Sequence, residues 1–153
     1  MMATTSIEWT DFSHNPIRAR LKDAAHAGVT KGGYGSGVGH YCEKISSGCA
    51  KCYSSTAQKR FRMPEFPGAK GMPLVGGNVE VFLDEARLVE PLSWRKPRKV
   101  FICDMTDPFG QWVPFEWIDR IFAVMALTPH ITWQILTKRP ERMAEFFNVN
   151  RTE

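Results

Sequence analysis

The sequence contains no apolar run approaching the about 18 residues that a membrane-spanning helix needs, and its first residues, Met1 to Trp9, alternate polar and apolar instead of forming a secretory leader. Both absences point to a cytoplasmic protein with no membrane contact, in a compartment where thiols stay reduced. Cysteine is scarce and unevenly placed: 4 occur in 153 residues, and Cys42, Cys49 and Cys52 fall within one short stretch. That distribution fits poorly with a disulfide framework, which spreads even numbers of cysteines through a small domain. Charge of one sign is also lacking. Lys plus Arg total 20 against 16 Asp plus Glu, and the pI near 9.0 permits an anionic partner such as a nucleic acid without requiring one. A phosphate-cradling Walker loop is missing too. The glycines of Lys31-Gly32-Gly33-Tyr34-Gly35-Ser36-Gly37 are not followed by Gly-Lys-Ser/Thr and a helix, so residues 18–39 read as a long Gly-rich mobile loop.

What the chain does carry is a C-x6-C-x2-C run, Cys42, Cys49 and Cys52, with Cys103 far downstream. Iron-sulfur clusters that only pass electrons take four Cys ligands; three thiolates leave one iron open to another ligand. Spacing favours metal over the alternatives, a disulfide or a Cys49-Ala-Lys-Cys52 dithiol, since a dithiol does not need a third thiol nearby. Cys103, at the end of an apolar run, reads as a buried small hydrophobe.

Length and a 43% hydrophobic content predict one domain over 1–153. Along it, strands and helices alternate. Ser6 to Trp9 reads as a strand ending in Thr10-Asp11, with a break at Asn15-Pro16; Tyr53 to Met63 reads as a helix closed by Pro64 and Pro67. Asn78 to Leu83 alternates as a strand, and Asp84-Glu85 opens a short helix ended by Pro91, Trp94 and Pro97. Lys99 to Cys103 has the continuous apolar character of a buried parallel strand. Pro114 starts a helix with Phe115, Ile118, Ile121, Phe122 and Met125 on one face, Thr128-Pro129 ends it, Ile131 to Leu136 is the next strand, and Pro140 to about Phe147 the last helix. Four strands, each followed by a loop and helix, predict an α/β fold with a parallel sheet.

In that architecture chemistry belongs at the carboxyl ends of strands. Thr10-Asp11, Asp84-Glu85, Asp104 to Asp107 and Thr137 to Arg139 are expected there. Asp84 reads as a helix cap. Asp107 before Pro108, with Thr106 beside it, reads equally well as a turn or as part of a polar site. Lys138 and Arg139 stand where an anion would be gripped or as a solvated basic pair. Of the histidines, His40 alone stands near the cysteines; His14, His26 and His130 read as structural or surface residues.

Taken in order, Ile7-Glu8-Trp9-Thr10-Asp11, Asn15-Pro16, Ser47-Gly48-Cys49-Ala50-Lys51-Cys52-Tyr53, Pro91-Leu92-Ser93-Trp94, Asp104-Met105-Thr106-Asp107 and Leu136-Thr137-Lys138-Arg139-Pro140-Glu141-Arg142-Met143 resemble a family of uncharacterised phage and bacterial proteins related to radical S-adenosylmethionine enzymes. The resemblance runs nearly end to end. It implies a [4Fe-4S] cluster held by Cys42, Cys49 and Cys52, whose open iron is chelated by S-adenosylmethionine, and reductive cleavage of that sulfonium to a radical that abstracts hydrogen from a substrate. It further implies that Tyr53 lies against the adenine, and that Asp104, Thr106, Asp107 and Lys138 face the methionine moiety or substrate. Such relatives are similar to a partial barrel of six strand-helix units, of which this chain carries four, so it is expected to form the N-terminal half of a radical-SAM-type (βα)6 barrel. Its last strand, around Ile131 to Leu136, would then be an open edge for a second chain. Most enzymes of that superfamily space their cysteines C-x3-C-x2-C, so the first loop here is longer.

Two other readings compete. His40 with Cys42, and Cys49 with Cys52, supply the donors of a closed Cys3His zinc site without catalysis. Lys51, Lys59, Arg60 and Arg62 would serve a nucleic-acid-binding protein as phosphate contacts, with a solvated helix face as the bland counterpart.

Overall fold

The computed structural model describes residues 3–4, 8–22, 38–60 and 79–149. These fall into two compact units, one of residues 1–16 and 83–153 and one of residues 17–82.

In the first unit four strands form an open sheet, β1 (Ala3–Thr4), β2 (Phe12–His14), β6 (Arg98–Ile102) and β7 (Ile131–Gln134), in that order. β1 runs antiparallel to β2, whereas β2, β6 and β7 are parallel, with Phe12 opposite Val100 and Val100 opposite Trp133. Val100, Phe101 and Ile102 are buried, as expected of a central parallel strand. Trp94, Val100 and Ile131 form the apolar centre, with Phe12 and Trp133 packed against it.

The helices follow their local signals. Asp84 caps α2 (Glu85–Val89) by accepting from the Arg87 N–H at 3.2 Å, and a 3-10 turn over Glu90–Ser93 follows. α3 (Phe115–Ala126) begins after Pro114 and buries Ile118, Ile121 and Val124 on one face. It ends where the Thr128 hydroxyl turns back to the Val124 carbonyl at 2.8 Å; the same oxygen accepts from the Trp133 indole at 3.1 Å, tying the helix end to β7. α4 (Pro140–Val149) packs Phe146 among the rings of Phe109, Phe115 and Phe122.

In the second unit β3 (Ile17–Leu21) is the middle strand of three, flanked by β4 (Val38–Gly39) and β5 (Val79–Leu83). Ile17 and Ala19 are buried while Arg20 points outward, pairs with Glu80 at 2.7 Å and lies over the Phe82 ring. α1 (Tyr53–Arg60) follows a 3-10 turn over Ser47–Lys51.

Several expectations are corrected. No closed barrel forms among the described residues: the sheet that carries β2, β6 and β7 is open, and its parallel part has three strands instead of four. β5 has the expected alternation but joins β3 in the other sheet, because strand pairing is a non-local choice that periodicity does not encode. The first parallel strand is Phe12–His14; Glu8 and Trp9 lie in a turn, and the apolar pairing that selects the strand is Phe12 on Val100. The stretch read as a loop over 18–39 contains β3 and β4 at its two ends, since alternation in Ile17-Arg18-Ala19-Arg20-Leu21 outweighs the glycines that follow; residues 23–37 lie outside the described set. The ends expected for the helix at Tyr53, Met63 through Pro67, likewise lie outside it.

Candidate functional site

The carboxyl ends of the three parallel strands converge on two carboxylates. Asp104 accepts from the Ser13 hydroxyl at 2.9 Å and from the Asn15 side-chain amide, whose own oxygen accepts the Met105 N–H at 3.1 Å. Ser13 lies on β2, Asn15 directly follows it, and Asp104 follows β6, so one carboxylate is fixed by two strand ends. Immediately before it, Cys103 adopts φ 57, a left-handed conformation uncommon outside glycine, and donates its N–H to the His14 carbonyl at 2.9 Å. Cys103 is buried, as its apolar neighbourhood implied.

Asp107 is buried and holds four donors: the Phe109 N–H at 3.0 Å, the Thr137 hydroxyl at 2.7 Å, the Lys138 N–H at 3.0 Å and the Arg139 guanidinium at 3.1 Å. Arg139 is also buried and lies over the Trp112 ring at 4.8 Å. The strand-end loops after β6 and β7 are therefore locked by one ion pair. The loop from Met105 to Gly110 is buried throughout, which obliges its polar groups to find partners. Arg142 supplies one, donating to the Gly110 carbonyl and to the Val113 carbonyl at 2.7 Å. Burial lowers the pKa of this guanidinium from its usual value. A Cβ on Gly110 would stand 2.4 Å from the Trp112 indole, so this residue must be glycine for the ring to close over the loop.

Of the expected strand-end residues, Asp104, Thr106, Asp107 and Lys138 all lie on these loops. Thr106 is buried and donates its N–H to the Cys103 carbonyl at 3.3 Å, and Lys138 is exposed. Thr10 and Asp11 do not join them. Asp11 accepts the Lys99 N–H at 2.8 Å and Thr10 donates to the Lys99 carbonyl at 3.3 Å, which puts both at the amino end of the sheet. Ser13, Asn15 and His14 occupy the carboxyl end instead. His14 is buried between Trp94 and Trp133, its Nε2 has no hydrogen-bond partner among the described residues, and burial pushes its pKa down to about 4.

In the other unit, none of Cys42, Cys49 and Cys52 is in a disulfide. Cys49 sits in the 3-10 turn, its N–H donated to the Ser46 carbonyl at 2.9 Å, and the Cys52 N–H closes on the Cys49 carbonyl at 3.2 Å. Two sulfurs have a serine hydroxyl at hand: Ser46 Oγ lies 3.3 Å from Cys49 Sγ, and Ser54 Oγ 3.2 Å from Cys52 Sγ. Cys42 Sγ contacts the Glu43 carbonyl at 3.8 Å. Tyr53 opens α1 with an exposed ring, and His40 is buried with Nδ1 3.2 Å from the Ile17 carbonyl. The donor chemistry suits a thiolate-bound metal. Among the described residues, no group of three or more His, Cys, Asp or Glu side chains is already gathered to hold a metal ion. Of the candidate phosphate contacts, Lys51 is exposed, and the side chains of Lys59, Arg60 and Arg62 lie outside the described set. No helix among the described residues is long and apolar enough to cross a membrane.

Neither a curated protein nor a solved structure matches the chain. One family does, over residues 34–153, a span that takes in the three cysteines and both strand-end loops: the chain belongs to the family described as "Protein of unknown function (DUF5131)".

Proposed function

We propose that this chain is a cytoplasmic iron-sulfur protein of the radical S-adenosylmethionine type, with Cys42, Cys49 and Cys52 as the cluster ligands. The observation that carries the reading is three cysteines outside any disulfide within one short segment, two of them beside serine hydroxyls. When bound, a three-thiolate [4Fe-4S] cluster would supply the electron for cleaving the sulfonium of S-adenosylmethionine at its open iron. The chain's own residues hold and orient. The cysteines would supply the charge that binds metal. Tyr53 offers an exposed ring to the adenine. Asp104, fixed by Ser13 and Asn15, is an acceptor for a cationic group, and exposed Lys138 a donor for an anionic one.

A zinc site is the second reading, favoured by one contact. A hydrogen bond from His40 Nδ1 to the Ile17 carbonyl is the arrangement that fixes a metal-ligating histidine in the tautomer that binds through Nε2. Anaerobic purification followed by iron, sulfide and zinc analysis separates the two. About four irons with matching sulfide per chain, lost in Cys49→Ala, support the cluster. A colourless protein with one zinc that depends on His40 overturns it.

A further inference from the structure

Where the chain enters β6 it reads Arg95-Lys96-Pro97-Arg98-Lys99, four cations in five residues with no acid among them. Arg95, Lys96 and Lys99 are exposed. Three arginines elsewhere are neutralised in ion pairs, Arg20 with Glu80 at 2.7 Å, Arg87 with Glu90 at 3.2 Å, and Arg120 with Glu85. Among the described residues no ion pair involves Arg95, Lys96 or Lys99. Asp11, beside the run, accepts the backbone N–H of Lys99 at 2.8 Å and donates its own N–H to the Lys99 carbonyl at 3.0 Å. The backbone under the cations is fixed at further points. His130 Nε2 lies 2.8 Å from the Trp94 carbonyl, and the Arg98 guanidinium lies over the rings of Phe12 at 5.0 Å and Trp94 at 5.2 Å while its Nε donates to the Lys96 carbonyl at 3.3 Å. Crowded like charges repel one another, a cost that an anionic partner removes.

We propose that Arg95, Lys96 and Lys99 form a contact surface for the phosphate backbone of a nucleic acid, with Arg98 holding the run in place. From Arg95 to Lys99 the chain spans at most about 14 Å, the axial rise of about four nucleotides of one strand. A protein partner fits less well, because lysine is depleted at protein interfaces. A membrane surface fits less well too, because the cations lie on a strand and the non-helical segment before it, not on the polar face of an amphipathic helix. The surface involves no cysteine, so it stands or falls independently of the metal reading.

The test is fluorescence anisotropy of a labelled DNA duplex of about 20 base pairs, and of its single strand, with the full chain over a salt series. Three phosphate contacts predict a slope of log affinity against log salt of about −3 on the duplex. Lys96→Gln with Lys99→Gln should weaken binding and flatten that slope by about 2, and Arg95→Gln alone by about 1. Lys22→Gln with Lys44→Gln makes the same change in net charge at exposed lysines elsewhere and should leave affinity and slope unchanged. All four lysines are exposed, so both pairs should keep the wild-type circular dichroism spectrum. Absence of binding to either DNA at low salt overturns the proposal. Equal weakening by the two lysine pairs also overturns it, by assigning the binding to net charge alone. Stronger binding to phosphatidylserine vesicles or to polyglutamate than to DNA overturns it as well, by assigning the run to a membrane or to an acidic protein.

Discussion

Replacing Asp107 with Ala removes the acceptor for four donors at once. The carboxylate binds the Phe109 and Lys138 backbone N–H groups, the Thr137 hydroxyl and the Arg139 guanidinium within 3.1 Å, and both members of the ion pair are nearly inaccessible, 8% exposed for Asp107 and 10% for Arg139. At that burial, loss of one partner strands a charge in a medium that solvates it poorly, at a cost of about 3 to 5 kcal/mol. That is a large fraction of the stability of a domain this size. Urea unfolding followed by far-ultraviolet circular dichroism reads it directly; with a urea dependence of about 2 kcal/mol per molar, the midpoint should fall by about 2 M. The companion variant Asp107→Ala with Arg139→Met removes both charges, and should recover the part of the loss due to the stranded guanidinium, while the Phe109, Thr137 and Lys138 donors stay without their acceptor. A fall below about 1 kcal/mol for Asp107→Ala, or no recovery in the double variant, would refute the claim that this ion pair locks the two strand-end loops together.

His14 makes stability depend on pH. Its folded pKa is about 4 against 6.5 for the free side chain, because burial disfavours the imidazolium; the Glu90 charge opposes this, the Arg87 charge adds to it, and the Arg87 backbone and the Asp84 charge oppose it. The unfolded chain binds the proton first, so the penalty is absent above 6.5 and grows as pH falls toward 4, reaching about 3 kcal/mol. His14→Phe should flatten the unfolding midpoint over that window relative to wild type, and identical pH profiles would contradict the assignment. At Gly110, substitution by Ala sets a methyl 2.4 Å from the Trp112 ring and should cost about 1 to 3 kcal/mol with a changed tryptophan fluorescence; an unchanged spectrum and midpoint would show that the ring is not packed there.

The legible parts of the fold were those whose signals are local. Pro114 followed by Phe115, Ile118, Ile121, Phe122 and Met125 at helical spacing announces α3, although Val124 is buried with Ile118 and Ile121 on its inner face; the run Val100-Phe101-Ile102 announces a buried strand, and Asp84 announces its cap. What periodicity does not carry is pairing: β5 alternates correctly yet belongs with β3, and β3 was hidden by the glycines beyond it. The strand-end loops were identified from Asp104, Asp107 and Lys138, but the fixing partners were not, because Ser13 and Asn15 reach Asp104 across about 90 residues and Arg139 reaches Asp107 across 32. Thr10 and Asp11 precede β2 instead of following a strand, because the apolar pairing that selects the strand begins at Phe12 and not at Ser6. Ser46 and Ser54, three residues before Cys49 and two after Cys52, had a sequence signal in their spacing, but serine near a turn is commonly read as a cap.

The central claim is a cluster with three thiolate ligands and one open iron. Its most direct test is the electron paramagnetic resonance spectrum of the anaerobically loaded, reduced chain during titration with S-adenosylmethionine. Direct chelation at the open iron predicts a new signal that grows with added ligand, saturates, and is absent in the Cys42→Ala, Cys49→Ala and Cys52→Ala variants. A reduced spectrum that S-adenosylmethionine leaves unchanged would contradict the account.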